Sequence, residues 1–216
     1  MIRLHPNEIA FPDPKFYKTE NGLIAYGGDL SPERIWLAYQ NGIFPWFNPG
    51  EEILWWFPDP RFVLFPEKVK VSKSMRKILK NGQFTFTKNK CFRKVMENCR
   101  NTKRAGQDGT WISDELVESF VKLHQSGKAV SFEAWQNGEL VGGFYGMEVG
   151  KVFCGESMFA KVSNASKAVF LNFVQENKEK YSLIDCQIHS EHLESLGAEM
   201  IRGNEYLKIL KNENES

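Results

Sequence analysis

The stretch "AVSFEAWQNGELVGGFYGMEVGKVFCGESMF", Ala129 to Phe159, decides the fold class. Val, Phe, Trp and Tyr recur through it at strand spacing, and two turn signals cut it into three strands. The first is "QNGE", an Asn-Gly turn of the kind that closes a tight hairpin, and the second is "EVGK". Upstream, "SDELVESFVKLHQSG" has helical period, a cap at Ser113 and a stop near Gly127. Downstream come "NASKAVFLNFVQENKEK" as helix, "YSLIDCQI" as strand and a short helix over "SEHLESLG". Three strands, helix, strand and helix predict an α+β or mixed α/β domain.

Further upstream, "QFTFT" alternates as a strand, and "KCFRKVMENCR" has helical period with Cys91, Phe92, Val95, Met96 and Cys99 apolar. "SKSMRKILKNG" reads as a basic helix with Met75, Ile78 and Leu79 inward, and "RFVLF" through "KVKVS" predicts strand. "LSPERIWLAYQNG" is a helix: Ser31 caps it, Pro32 opens it, Ile35, Trp36 and Tyr39 form its apolar stripe, and Gly42 stops it. From Gly42 to Arg61 runs "GIFPWFNPGEEILWWFPDPR", where Trp46, Trp55, Trp56, Phe44, Phe47 and Phe57 stand among Pro45, Pro49, Pro58 and Pro60. The prolines argue against a buried strand, and the tryptophans against a plain surface loop. A stiff, aromatic-lined loop is expected, suited to a planar ligand. Residues 1–62 thus read as a small lobe rich in aromatics and proline, and residues 63–216 as the main domain.

With 216 residues the chain is long enough for a proper core, and 42% apolar with 25% charged residues is an ordinary globular composition. No apolar run approaches the roughly 18 residues of a membrane span. "MIRLHPNEIAFPDP" lacks the apolar core of a signal peptide, and Cys91, Cys99, Cys154 and Cys186 lie far apart with no CxxC. Reduced thiols and a cytoplasmic location are the expectation. The net charge of +1 hides a division. Residues 61–104 carry fourteen Lys and Arg against Glu67 and Glu97, a local +12, so the remainder carries −11. Either acids from elsewhere face these cations in the fold, or the segment meets a nucleic-acid backbone.

Two strands carry carboxylates in apolar surroundings, which are costly to bury without partners. In "YSLIDCQI", alternation puts Leu183, Asp185 and Gln187 on one face and Ile184, Cys186 and Ile188 on the other. In "FCGESMF", Glu156 and Met158 share a face, and Gly155 permits close approach. These carboxylates either pair with buried cations or serve chemistry. Asp185, Cys186, His189 and His192 make a poor metal tetrahedron, because Asp185 and Cys186 point to opposite faces. No P-loop, dinucleotide fingerprint or G-x-S-x-G elbow is present, so neither ATP, NAD nor a serine triad is suggested.

"FPDP", "NGLIAYGGDLSPERIWLAYQNGIFPWFNPGE", "ILWWFPDPR", "GTWI", "ELVGGFYG", "FCGESMF", "ASKAVFLNF", "LIDCQ" and "HLESLGA" follow one another over about residues 9 to 206. In this order they resemble the leucyl/phenylalanyl-tRNA–protein transferases. The resemblance implies a small N-terminal lobe and a C-terminal domain similar to the acetyltransferase (GNAT) fold. It implies transfer of leucine, also phenylalanine and less so methionine, from charged tRNA to an N-terminal Arg or Lys of an acceptor protein, marking it for degradation. No cofactor or metal is implied, since the aminoacyl ester is already activated.

By the same resemblance, Trp46 and Trp111 embrace the terminal adenine; Trp55 and Trp56 are instead expected to pack the lobe. Phe144, Phe153, Met158, Phe170, Phe173 and Ile184 form the pocket for the amino-acid side chain. Met158 gives that pocket a deformable wall. Phe144 stands where relatives often have methionine, which implies a shallower pocket and a tilt towards leucine. The basic segment suits the tRNA acceptor stem. Asp185 is expected as electrostatic partner or proton relay for the incoming amine, Gln187 as its hydrogen-bond partner, and Glu156 as an orienting group or an attractor of the acceptor's cation. The rival readings are an acyl-CoA-dependent N-acetyltransferase and a non-catalytic RNA-binding module. "GESMFAKVSNASK" offers the first only Gly155 for a pyrophosphate.

Overall fold

Five short elements come first: β1 (Ile2–Leu4), β2 (Leu23–Gly27), α1 (Pro32–Gln40), β3 (Phe44–Pro45) and β4 (Leu54–Trp56). They belong to a computed structural model that describes residues 1–17, 19–102 and 110–212. The strands form a mixed sheet in the order β1-β2-β4-β3. The proline-rich stretch therefore contains two strands, but very short ones, and Pro45 lies on the edge strand, where a missing N–H breaks no ladder. Trp55 is fully buried, its indole N–H donating to Gly27 O at 2.9 Å. Helix α1 starts and stops as expected, with Ser31 Oγ accepting from Arg34 N and Gly42 at φ 72°.

The main sheet is seven-stranded. Strand β5 (Arg61–Leu64) opens it, followed by α2 (Lys73–Lys80), β6 (Thr85–Lys88), α3 (Phe92–Arg100) and α4 (Asp114–Gln125). The long hairpins are β7 (Ala129–Gln136), β8 (Glu139–Val149) and β9 (Val152–Ala160). After α5 (Ala165–Asn177) come β10 (Leu183–Gln187), α6 (Glu191–Ser195), β11 (Glu199–Ile201) and α7 (Gly203–Leu210). The spatial order is β11-β5-β10-β9-β8-β7-β6, with β10 parallel to β9 and every other pair antiparallel. This is the mixed α/β class expected. The β7–β8 turn has Asn137 at φ 52° and Gly138 at φ 80°, both left-handed, as an Asn-Gly hairpin turn requires.

Two apolar cores flank this sheet. One gathers Val95, Phe120, Tyr145 and Tyr206 together with Ile24, Ile35, Tyr39 and Trp55 from the first five elements. The other lies under α5 and joins Phe62, Phe132, Phe144, Phe153, Phe170 and Phe173. A division at residue 62 thus passes through β5, and the N-terminal elements share a core with the main sheet.

The segment "KVKVS" is not a strand. Pro66–Lys68 form a single 3₁₀ turn, and Lys70 N–H bonds Leu196 O, so this segment lies as a loop along α6. Strand β11 and helix α7 were not expected. β11 has only three residues, and α7 takes its burial from Tyr206, Leu207 and Leu210 within a charged tail.

Candidate active site

The site arises where two parallel strands part. Leu183, Ile184 and Asp185 of β10 pair with Val152, Phe153 and Cys154 of β9, and the ladder ends there although β9 runs on to Ala160. A bulge lies on each strand at the fork. On β9, Gly155 faces Gly146 and Ser157 faces Tyr145, which leaves Glu156 as the extra residue. Gly146 tolerates this crowding because a Cβ there would sit 2.2 Å from Cys154 O. On β10, Asp185 faces Val63 and Gln187 faces Phe62, so Cys186 is extra, and Gln187 takes a left-handed φ of 65°. Bulges re-aim side chains, and these two correct the simple alternation. Met158 packs with the core of Phe144 and Phe153, whereas Glu156 turns towards Tyr39 of the other core. Asp185 and Gln187 are not two rungs of a regular strand; Gln187 N–H donates to Asp185 Oδ1 at 2.9 Å.

A cavity of about 370 Å³ fills the fork, a volume in the range of small-molecule sites, roughly 300–1,000 Å³. Its apolar end is walled by Phe144, Phe153, Met158, Phe170 and Ile184. Phe173 does not reach it. That ring is 1% exposed and stands behind the wall, 5.2 Å from Phe144 and 4.7 Å from Phe153 between centroids. Both expected indoles also line the cavity. Trp46 is held by its N–H to Leu54 O and by the Trp56 indole N–H, which donates to Trp46 O at 2.7 Å. Trp56 thus props Trp46 rather than merely filling the lobe. Trp111 enters just ahead of the Ser113 cap of α4.

Glu156, Asp185 and Gln187 bring polar groups to the same lining. Gln187 Nε2 donates to Glu156 Oε1 at 3.0 Å. Burial pushes the Glu156 carboxyl up to about 7, against the pull of the nearby Tyr39 hydroxyl and of the hydrogen bond from Gln187. Asp185 is 1% exposed, and its carboxylate accepts from Arg61 Nε (2.8 Å), Arg61 Nη2 (2.7 Å), Tyr206 Oη (2.8 Å) and Gln187 N. Burial alone would lower the Arg61 pKa, but the Asp185 charge raises it, and the guanidinium stays charged. Burial pushes the Cys186 thiol well up, so it lines the cavity as a neutral group and not as a nucleophile.

Arg61 corrects the reading of the basic segment: it is 1% exposed and serves Asp185, not the surface. Lys68, Lys88, Arg93 and Arg100 pair with Glu199, Glu148, Glu118 and Asp114, all acids from outside the segment. Lys73, Arg76, Lys77 and Lys80 of α2 are exposed, and Lys103 and Arg104 lie outside the described residues. Sequence reasoning missed Tyr39, Arg61 and Tyr206 at the site because each belongs to another element and carries no local mark. His189 and His192 also line the cavity, with His189 Nε2 3.1 Å from Glu194 Oε2. Among the described residues no three His, Cys, Asp or Glu converge as metal ligands.

One cavity thus gathers aromatic side chains, two indoles and a carboxyl–amide pair. Comparison with known proteins places the chain in a family. The family model described as leucyl/phenylalanyl-tRNA protein transferase matches residues 63–211, and that of its N-terminal domain matches residues 28–59. Proteins named leucyl/phenylalanyl-tRNA–protein transferase are similar over nearly the whole chain. That of Flavobacterium johnsoniae is 55% identical over 94% of this chain and 96% of its own. That of Christiangramia forsetii is 54% identical over 97% and 100%, and that of Escherichia coli O1:K1 / APEC 47% over 97% and 89%. Among solved structures, a GCN5-related N-acetyltransferase-like protein from Streptococcus suis matches at TM-score 0.38 and 14% identity, over 77% of this chain and 62% of that one. A likeness of that size carries no argument; the sequence matches do, and the chain belongs to the leucyl/phenylalanyl-tRNA protein transferase family and is an aminoacyltransferase.

Proposed function

We propose that the protein moves leucine, also phenylalanine and less so methionine, from its charged tRNA to the α-amine of an N-terminal Arg or Lys on an acceptor protein. The peptide bond so formed creates an N-degron in the cytoplasm. The observation that supports this reading is the cavity at the fork, whose lining includes Trp46 and Trp111 together with Phe144 and Met158. Adenine stacks between the indoles, where stacking contributes roughly 1–3 kcal/mol per base. The esterified side chain occupies the pocket, and the ester carbonyl lies between them, beside Glu156 and Gln187. The exposed cations of α2 receive the acceptor-stem phosphates, a contact blind to sequence.

The acceptor amine has a pKa of about 7.7–8.0 and is mostly protonated near neutrality. Glu156 has a carboxyl near 7 at the cavity wall, close enough in acidity to share that proton. The neutral amine then attacks the ester carbonyl. The bond from that carbon to the ribose oxygen breaks, and the ribose hydroxyl leaves with a proton. Gln187 holds the amine, and Asp185 acts as the electrostatic partner beneath it. A general base of this kind contributes typically about 10²–10⁴-fold.

The test is incubation with radiolabelled leucyl-tRNA and an Arg-started peptide, with RNase-treated and acetyl-CoA arms. Leucine on the peptide only with intact tRNA is the expected result. Acetylation of the peptide, or tRNA retention without transfer, would replace this reading by one of its rivals.

A further inference from the structure

Asp185 lines the cavity, yet its carboxylate is taken up by Arg61 and Tyr206, neither of which is among the lining residues. We propose that Arg61 and Tyr206 are positioning residues for transfer: by gripping Asp185 they hold Gln187 in its left-handed backbone conformation, so that its amide stays on Glu156. This rests on the aminoacyl-transfer reading and deepens it.

The contacts form one path. Arg61 of β5 donates through Nε and Nη2 to both oxygens of Asp185, at 2.8 and 2.7 Å, in the two-toothed geometry that fixes a carboxylate's plane. Tyr206 of α7 donates to Oδ2 at 2.8 Å. The plane so fixed turns Oδ1 to the backbone N–H of Gln187, 2.9 Å away. Gln187 then reaches Glu156 Oε1 at 3.0 Å. A non-glycine residue at φ 65° is strained and persists only where its surroundings over-determine it. Here the Asp185 oxygen acts together with the backbone bond from Ile188 N–H to Cys186 O, 2.8 Å, which closes the turn around Gln187.

Stability alone does not explain the trio. Replacing a buried ion pair by apolar residues of similar volume is often neutral or stabilising, so such a pair is weak evidence of a stabilising role. The surroundings are apolar already: the guanidinium lies 4.9 Å from the Phe44 ring centroid and 4.6 Å from that of Tyr206. What charge and fork supply there, and a leucine would not, is a carboxylate of fixed orientation. A further bond ties α7 to the segment before β5: Gly203 N–H donates to Asp59 Oδ1 at 2.8 Å.

The experiment is a double-variant cycle on the full chain. Single-turnover leucine transfer from radiolabelled leucyl-tRNA to an Arg-started peptide is measured for the wild type, Y206F, Q187A and Y206F/Q187A. R61K, which keeps the charge and loses the fork, is the second probe. Folding is checked by circular dichroism and tRNA affinity by filter binding. The wild type transfers leucine; folded Y206F and R61K bind leucyl-tRNA as before and transfer about 10- to 100-fold more slowly, the scale of a misplaced reacting group. In the Q187A background, Y206F changes the rate less than about twofold, because the path is already cut. Equal slowing in both backgrounds, or wild-type rate in folded Y206F, overturns the proposal. A wild type that forms no leucyl peptide overturns the transfer reading itself.

Discussion

Replacing Glu156 by Gln tests the base in this site through stability as well as rate. The carboxyl is raised from its ordinary 4.5 to about 7 because burial disfavours its charge. A raised carboxyl pKa means that the native protein holds this proton more tightly than the unfolded chain does. Its contribution to stability is therefore full below pH 4.5 and is lost as pH rises through about 7. At about 1.4 kcal/mol per pH unit, the ionised carboxylate costs the fold up to about 3 kcal/mol at pH 8, an upper bound because the group borders the cavity. Glu156→Gln keeps the shape and a partner for Gln187 while removing the charge. Urea unfolding of both proteins at pH 5 and pH 8 is the assay. The variant gains about 2–3 kcal/mol on the wild type between the two pH values, while its single-turnover transfer falls about 10²-fold. A stability difference that does not change with pH would refute the assignment of a buried, proton-sharing carboxyl.

Other outcomes follow from the same geometry. Trp46→Ala and Trp111→Ala each weaken leucyl-tRNA binding by about 1–3 kcal/mol in filter binding, with little change in the melting temperature. Phe173→Ala loses about 3–5 kcal/mol in denaturant unfolding, because the ring is packed behind the pocket wall and does not line it. Phe144→Met, which puts a more flexible side chain in the pocket wall, raises transfer of phenylalanine relative to leucine when both charged tRNAs compete. Each Lys or Arg of α2 changed to Ala reduces the slope of log affinity against log salt by about 0.7–0.9, irrespective of which tRNA is bound.

Much of this was legible in the chain because it is local. The β7–β8 hairpin and α1 are specified by residues a few positions apart, Asn137-Gly138 in one case and Ser31-Pro32 in the other. Glu156, Asp185 and Gln187 stood out as polar groups on apolar strands, and all three meet at the fork. Their facing was misread because alternation assumes an unbroken ladder, and a bulge is set by the partner strand, not by the strand's own sequence. Arg61 was misread for a related reason. In a run of cations nothing local separates a solvated one from one buried against a carboxylate 124 positions away. The short β11 and the charged α7 carry too little apolar pattern to be seen. Trp46 and Trp111 came from the family resemblance alone; six tryptophans compete for the role, and only the fold brings these two to one cavity.

A structure of the protein with a 3′-aminoacylamide adenosine, a hydrolysis-resistant mimic of leucyl-tRNA's end, addresses the centre of this account. The adenine should lie between Trp46 and Trp111, with the leucyl chain against Phe144 and Met158 and the amide carbonyl beside Gln187. A nucleoside bound away from either indole, or a leucyl chain outside the Phe144–Met158 pocket, would contradict it.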